Sequence, residues 1–303
     1  MPRVSILLTC YNHIRYLPAC VEGIRRQTYL DYEVVAIDDG SSDFSREWLS
    51  EQEDIRCIFN AENLGTYETL NVGLRATAGE FVAVLNDDDL WEPEKLARQV
   101  DLLDAHPNVG VVHTGGTFID GEGRTQEGNP LGFAFPRFET GDVLLGLVYE
   151  NKVIASAALA RRACFDKVGE FNREYFGSGD WEMWFRIAEH FDFGFVDAPL
   201  THYRVHGANA SHKLERIWRD DEKLRKWMAP RLECVHSRFP AGEIKKARAF
   251  NYAALGTVQT LNGSPAVGRQ SYVASARLNP ARWKTYARYV ATYLPPETFR
   301  KLI

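Results

Sequence analysis

The chain is organised around Val82-Ala83-Val84-Leu85-Asn86-Asp87-Asp88-Asp89-Leu90-Trp91, an apolar run that ends abruptly in three carboxylates. The run reads as a strand buried on both faces, the kind found in parallel sheets covered by helices. Open α/β sheets bind ligands beyond the carboxyl ends of such strands. Three adjacent acids repel one another there unless a cation or a polyhydroxyl ligand meets them. Hard divalent cations take carboxylate oxygens and keep positions open for substrate phosphates. A competing reading is helix capping, with Asp88 or Asp89 at the start of a helix near Pro93. Capping accounts for one acid of the three, and on this stretch alone both readings stand.

The flanking sequence alternates strand and helix. Arg3 to Thr9 reads as a strand, Leu17-Pro18 opens a helix to about Gln27, and Tyr32 to Ile37 is a second strand. Phe44 to Glu51 reads as a helix, Ile55 to Phe59 as a third strand, and a helix starts at about Asn63-Leu64-Gly65-Thr66 before the strand Glu80 to Asn86. Such alternation predicts a parallel sheet with right-handed crossovers, a nucleotide-binding α/β architecture. A dinucleotide fold wants G-x-G-x-x-G after the first strand, and Cys10-Tyr11-Asn12-His13 has no glycine. No G-x-x-x-x-G-K-[ST] occurs either. A metal held by acids is the remaining way to hold phosphate.

A chain of 303 residues has room for one large domain with an appendage, or for two. No apolar run is long enough to span a bilayer, and the N-terminus reads as lacking a signal peptide. Five scattered cysteines without metal-ligand spacing predict a reduced, cytoplasmic chain. The net charge of −5 hides an asymmetry: from Lys213 onward there are 18 Lys/Arg against 7 Asp/Glu, which leaves −16 for the first 212 residues. This break places a domain boundary near Ser211.

The ordered series Val4 to Asn12, Val34 to Asp43, Asn63-Leu64-Gly65 and Gly79 to Ala83 running into the acids resembles a family 2 glycosyltransferase with the GT-A fold. Val168-Gly169-Glu170-Phe171, Gly179 to Arg186 and Pro199 to His206 resemble the family's later motifs in the same order, so the likeness covers about residues 3 to 211. It implies a Rossmann-like mixed sheet in residues 1–211, with a nucleotide half of about 1–112 and an acceptor half of about 113–211. Residues 212–303 follow as a basic helical domain. It implies inverting transfer of a sugar from a nucleotide-sugar, UDP- or dTDP-linked, to a hydroxyl of a glycan, glycolipid or lipid-linked acceptor, with Mg²⁺ or Mn²⁺ as cofactor and polysaccharide biosynthesis as setting.

The likeness also implies roles. Thr9, Tyr11 and Asn12 fall at the donor cleft, with Tyr11 stacking on the base. Asp39 accepts from a pyrimidine N–H, though Asp38-Asp39-Gly40-Ser41-Ser42 is also ordinary turn chemistry. The first acid of the usual D-x-D-D run is Asn86 here, which shifts the metal contact to Asp88 and turns Asp87 toward the ribose, with Asp89 a further metal candidate. His206 ends the pattern Tyr203-Arg204-Val205-His206 as a metal or phosphate ligand; alternation places it on one strand face with His202 and Arg204. Asp180 is the general base, with Glu182 as the alternative and helix capping as the bland reading. Leu70 stands where a basic residue is common, and nothing transfers that role to Arg75. His113 and His212 read as ordinary core or surface residues.

Gly121 to Leu144, with five glycines and Phe133, Phe135 and Phe138, reads as an irregular acceptor-side insertion. After Ser211 the spacing predicts helices over Leu214–Met228, Ala241–Leu261, Pro265–Arg277 and Arg282–Tyr293. Their basic residues with Trp227, Trp283, Tyr286, Tyr289 and Tyr293 suit a peripheral contact with anionic lipid at the inner face of a membrane, and equally a solvated cap or a homo-oligomer surface. No nucleic-acid module is present. Two rivals remain: a sugar-nucleotide-binding scaffold that has lost catalysis, and a nucleotidyltransferase, for which Cys10-Tyr11-Asn12-His13 lacks the glycine-rich basic loop.

Overall fold

The structure, a computed structural model, describes residues 1–302 apart from 129, 132–133, 208, 210–211 and 236–237. Phe133 and the boundary residue Ser211 lie outside the described residues. The chain forms two compact units: Met1–Leu144 with Asn151–Asn209, and Leu145–Glu150 with Ala210–Ile303.

The first unit is built on β1 (Val4–Cys10), β2 (Tyr32–Asp38), β3 (Arg56–Phe59), β4 (Phe81–Asn86), β5 (Leu90–Trp91), β6 (Val109–Ile119), β7 (Ala158–Arg161) and β8 (Asp192–Arg204). They form one sheet in the order β3-β2-β1-β4-β7-β6-β8-β5. The first four of that order are parallel, β7 is antiparallel to both its neighbours, β8 is parallel to β6 and β5 is antiparallel to β8. The sheet is therefore mixed. Every residue of β1 and the first five of β4 are buried, as continuous apolar strands between helix layers must be. Truncating Leu8 or Leu85 there would cost about 2–5 kcal/mol.

Register positions the site. Thr9 pairs with Asn86 and with Ile37, and Cys10 pairs with Asp38. Strands β1, β2 and β4 thus end level, so Tyr11, Asp39 and Asp87 leave the sheet side by side.

Helix α1 (Leu17–Arg25) buries Leu17, Cys20, Val21 and Ile24, one stripe at helical spacing, with Pro18 in its first turn. It ends two residues before the expected Gln27. That side chain turns inward, donating to the Glu92 carbonyl at 2.8 Å and accepting from the Leu96 amide at 3.0 Å. Next come α2 (Ser45–Ser50), α3 (Thr66–Ala76) and α4 (Lys95–Ala105). Glu94, not Asp88 or Asp89, occupies the N-cap of α4. The capping reading fails because β8 draws the chain after the acids into the ladder as β5.

After β6 come α5 (Leu144–Tyr149), most of which belongs to the second unit, and α6 (Arg162–Val168) and α7 (Gly179–Ala188) of the first. In the second unit α8 (Leu214–Arg231), α9 (Ala241–Leu261), α10 (Pro265–Leu278), α11 (Trp283–Ala291) and α12 (Pro296–Leu302) follow. The α9 limits match the expectation, since Pro240 and Asn262-Gly263 bracket it; α12 was not foreseen. No helix among the described residues is long and apolar enough to cross a membrane.

Candidate active site

The loop after β1 is fastened from two sides. Asp87, almost fully buried, accepts the Tyr11 amide at 2.9 Å through Oδ2 and holds His13 Nδ1 at 2.8 Å through Oδ1. Asn12 sits at a positive φ of 56° and ties this loop to the one after β2. Its amide donates to Ser41 Oγ and its Oδ1 accepts the Ser42 amide. With the backbone pinned at both neighbours, the Tyr11 ring is presented to solvent, 44% exposed. Thr9 Oγ1 lies 3.3 Å from Asn86 Oδ1, across the level strand ends.

Asp39 is buried beneath the segment before α3. Its Oδ1 accepts from Asn60 Nδ2 and the Leu64 amide, and its Oδ2 accepts the Gly65 amide at 2.9 Å. An ionised carboxylate has about four lone-pair directions, so capacity for one more donor remains on Oδ2. Asp38 is fully buried and its Oδ1 has no hydrogen-bond partner.

The other two acids after β4 diverge. Asp89 is fully buried; Ser156 Oγ donates to its Oδ2 at 2.5 Å and the Arg204 amide to its Oδ1 at 2.9 Å. Burial and the adjacent Asp88 charge push its carboxyl well above the usual range, against the pull of those two donors. Asp88 turns the opposite way, with Oδ2 at 3.0 Å from His206 Nε2 and 3.4 Å from Asn209 Nδ2. Arg204 fixes this turn: its Nε donates to the Asp88 carbonyl at 2.7 Å, and its guanidinium lies over the Tyr16 ring.

His206 does not share a strand face with His202 and Arg204 as the alternation suggested. Strand β8 stops at Arg204, and a turn follows in which the His206 amide donates to Asn209 Oδ1. His202 stays in the strand, bonded to Thr117 and Glu92. The turn carries His206 to His13, whose ring centre lies 5.1 Å away, edge to face. Among the described residues, His13, Asp88 and His206 form a cluster whose ligand atoms all lie within 4.8 Å of one another. His13 and Asn209 escaped sequence reading. The only hint of His13 was its place just past the end of β1.

This donor set fits a divalent metal. Two imidazoles with one carboxylate is a common set for borderline cations. The Nδ1 of His13 is held by Asp87, which leaves Nε2 toward the cluster, the carboxylate–histidine arrangement usual behind a metal ligand. Burial works against a charged His13 ring, but the Asp87 bond and the neighbouring acid charges outweigh it and raise the ring to about 9.

Asp180 lies in the first turn of α7, behind Ser178 at the N-cap. Its carboxylate accepts from the Trp181 amide at 2.7 Å and from Asn151 Nδ2 at 3.2 Å, with Tyr67 Oη at 3.5 Å. Burial lifts it to about 6, held back by those three donors. Gly179 is required by the packing: a Cβ there would stand 2.7 Å from the Tyr67 ring. The alternative base, Glu182, is buried in a two-toothed ion pair with Arg186 at 2.8 Å. Asn151 and Tyr67 were not singled out in the sequence. Asn151 and Ser156 are five residues apart, so the segment that holds Asp180 also holds Asp89, within about 18 Å of chain.

Leu70 is buried, and Arg75 pairs with Glu68 and Glu170 at the surface. His113 is a core residue, kept neutral by burial that lowers it to about 3, and His212 is exposed.

The profile of glycosyl transferase family 2 matches residues 5–169. An uncharacterized glycosyltransferase of Rickettsia typhi is 29% identical over 229 residues, 72% of this chain and 70% of that protein. One from Nostoc is 38% identical over 128 residues, 41% of this chain and 39% of its own length, so the chain spans well under half of that relative. The solved structure of S. aureus TarS 1–349 in complex with UDP-GlcNAc superposes with a TM-score of 0.65 at 16% identity, over 99% of this chain and 92% of that one. A mannosyltransferase from Pyrobaculum calidifontis in complex with GDP-Man and Mn²⁺ gives 0.61 at 20%, over 98% and 83%. At these identities the structural likeness is one of fold, a GT-A-type mixed sheet. The profile match runs through more than half of the residues and through strands β1 to β7, and on that ground the chain belongs to glycosyl transferase family 2.

Proposed function

We propose that this chain is a metal-assisted, inverting glycosyltransferase that moves a sugar from a UDP- or dTDP-sugar to a hydroxyl of a glycan, glycolipid or lipid-linked acceptor. One observation carries the reading. A partly exposed carboxylate, Asp180, held by the Trp181 amide, Asn151 and Tyr67, shares with the acids at the end of β4 the short segment that braces them.

On the donor side, Tyr11 offers a ring face to the base and Asp39 its remaining lone pair to a ring N–H. Thr9 and Asn12 shape the strand ends beneath them. The structure commits both oxygens of Asp87 to Tyr11 and His13, so we assign it to holding the loop rather than to the ribose. Asp89 is likewise spent on Ser156 and Arg204, which leaves Asp88, His206 and His13 to hold Mn²⁺ or Mg²⁺. A cation bound there supplies charge stabilisation to the departing diphosphate. His13 gives up its extra proton when it serves as a ligand.

On the acceptor side, Asp180 is ionised above about pH 6 and accepts the proton of the attacking hydroxyl. The new C–O bond forms as the anomeric carbon–phosphate oxygen bond breaks, and the electron pair leaves with the diphosphate. One displacement inverts the configuration, and no covalent nucleophile is needed.

The test is a thermal-shift panel of UDP, dTDP, GDP, CDP and ADP, each with Mn²⁺ and with EDTA, followed by transfer assays with the matching sugar donors. A ligand that binds only the native state raises its apparent stability. A Mn²⁺-dependent shift with one pyrimidine diphosphate is expected. No shift with any of them favours the impaired scaffold, and release of pyrophosphate from a nucleoside triphosphate would point to a nucleotidyltransferase.

A further inference from the structure

Helix α11 is built inside out. Its inward positions are Thr285, bonded toward Ser275, and Ala291, whereas Trp283, Tyr286 and Val290 face solvent at 69%, 47% and 65% exposure. Spacings of three and four residues put these three on one stripe. Leu294, just past the helix, extends it and is also exposed; Tyr293 beside it is exposed too, with the Arg269 guanidinium over its ring at 4.4 Å. An amphipathic helix in a water-soluble unit buries its apolar stripe. Here, among the described residues, the most apolar side of the helix is left largely exposed.

The sequence of this stretch carries charge of one sign. Between Ile244 and Pro296 the sequence holds eight Lys/Arg and no Asp or Glu. Arg277 and Lys284, next to the stripe, are exposed. A hollow of about 380 Å³ opens between α10 and α11, walled by Tyr272, Ala276, Pro280 and Tyr286 with Arg277 among its lining residues. By contrast Trp227, in the same unit, is covered by the Arg231 guanidinium at 3.8 Å and offers no such surface.

We propose that this face of α11 docks onto an anionic lipid surface, with Trp283, Tyr286 and Val290 entering the interface and the basic residues meeting the headgroups. Amphipathic aromatic rings favour that boundary, and apolar area and cationic charge together set the strength of such binding. A protein partner or a second copy would be expected to meet the cations with carboxylates of its own. A second copy docking symmetrically, through this same stretch, has none to offer.

The experiment is flotation of the full chain with vesicles of phosphatidylcholine alone and of phosphatidylcholine mixed with phosphatidylglycerol, at low and high salt. Binding is expected only to the anionic vesicles and to weaken with salt. The triple variant Trp283→Ser, Tyr286→Ser, Val290→Ser should lose at least about tenfold in partitioning, because the apolar term is gone. Circular dichroism checks that it folds. Trp283→Phe gives an independent readout, since quenching of wild-type fluorescence by brominated lipid should drop in that variant. Equal vesicle binding by wild type and triple variant, with unchanged quenching, would overturn the proposal. A wild-type dimer in sedimentation that the triple variant loses, without vesicle binding by either, would overturn it in favour of self-association.

Discussion

The acids that follow β4 and the acid that opens α7 are treated in opposite ways by their surroundings. Asp87 and Asp89 have both oxygens bonded to backbone or side-chain donors, and Asp88 faces two imidazoles. Asp180 has one short backbone bond, two long side-chain contacts and a carboxyl lifted to about 6. Saturated carboxylates make a fixed frame, because moving one breaks several bonds at once. Burial raises the proton affinity of Asp89 as well as that of Asp180, so what separates them is access: Asp89 is fully buried, and Asp180 is partly exposed. In the proposed mechanism, holding falls to one end of the site and chemistry to the other.

Removing the metal-facing acid should have the largest effect. Asp88→Ala is expected to abolish Mn²⁺-dependent donor binding by titration calorimetry, since no neighbouring carboxylate is unengaged. Unchanged heats would end the metal role. His13→Ala should weaken Mn²⁺ affinity by about 10–100-fold, the scale for loss of a supporting group at a metal site, read by electron paramagnetic resonance of the free ion. An unchanged affinity would remove His13 from the ligand set.

Gly179→Ala tests the seat of the base. The added methyl meets the Tyr67 ring, so Asp180 or Tyr67 must move, at about 1–3 kcal/mol of stability. Turnover should fall while Mn²⁺ binding holds. A variant with wild-type melting and turnover would show that the packing is looser than described.

The smallest effect is on stability. The folded-state pKa of Asp180 lies near 6, above its ordinary 3.8, so the native state binds the proton more tightly. The stabilising contribution is complete below 3.8 and is lost as pH rises through about 6. Asp180→Asn should therefore melt higher than wild type above pH 6, and the gap should close below pH 4. Parallel melting curves would mean that the carboxylate is fully solvated.

Strands β1 to β4 were legible because each is a short apolar run bounded by turn residues, whereas β5 and β6 and most of β8 were not read as strands. Helix α9 was legible because Pro240 and Asn262-Gly263 mark both ends. The antiparallel β7 was not, since Ala158–Arg161 is four residues without alternation. The site was legible in part. Motif order singled out Asp88, Asp180 and His206, and the fold brings Asp88 and His206 together, but the meeting of His13 with His206 joins residues 193 positions apart, and no local pattern records it. Asp87 and Asp89 read like ligands because a row of acids suggests one, and only the fold shows that donors already occupy them. The six residues Leu145–Glu150 belong to the second unit although they lie deep in the sequence of the first, which composition cannot show.

The most direct test of the division of labour is the turnover of Asp180→Asn at saturating donor and Mn²⁺. The variant keeps the shape and one acceptor oxygen, puts an amide NH₂ in place of the other, and cannot accept a proton. A fall of about 10²–10⁴-fold in kcat with donor affinity unchanged is expected. Near-normal turnover would contradict it and move the base elsewhere.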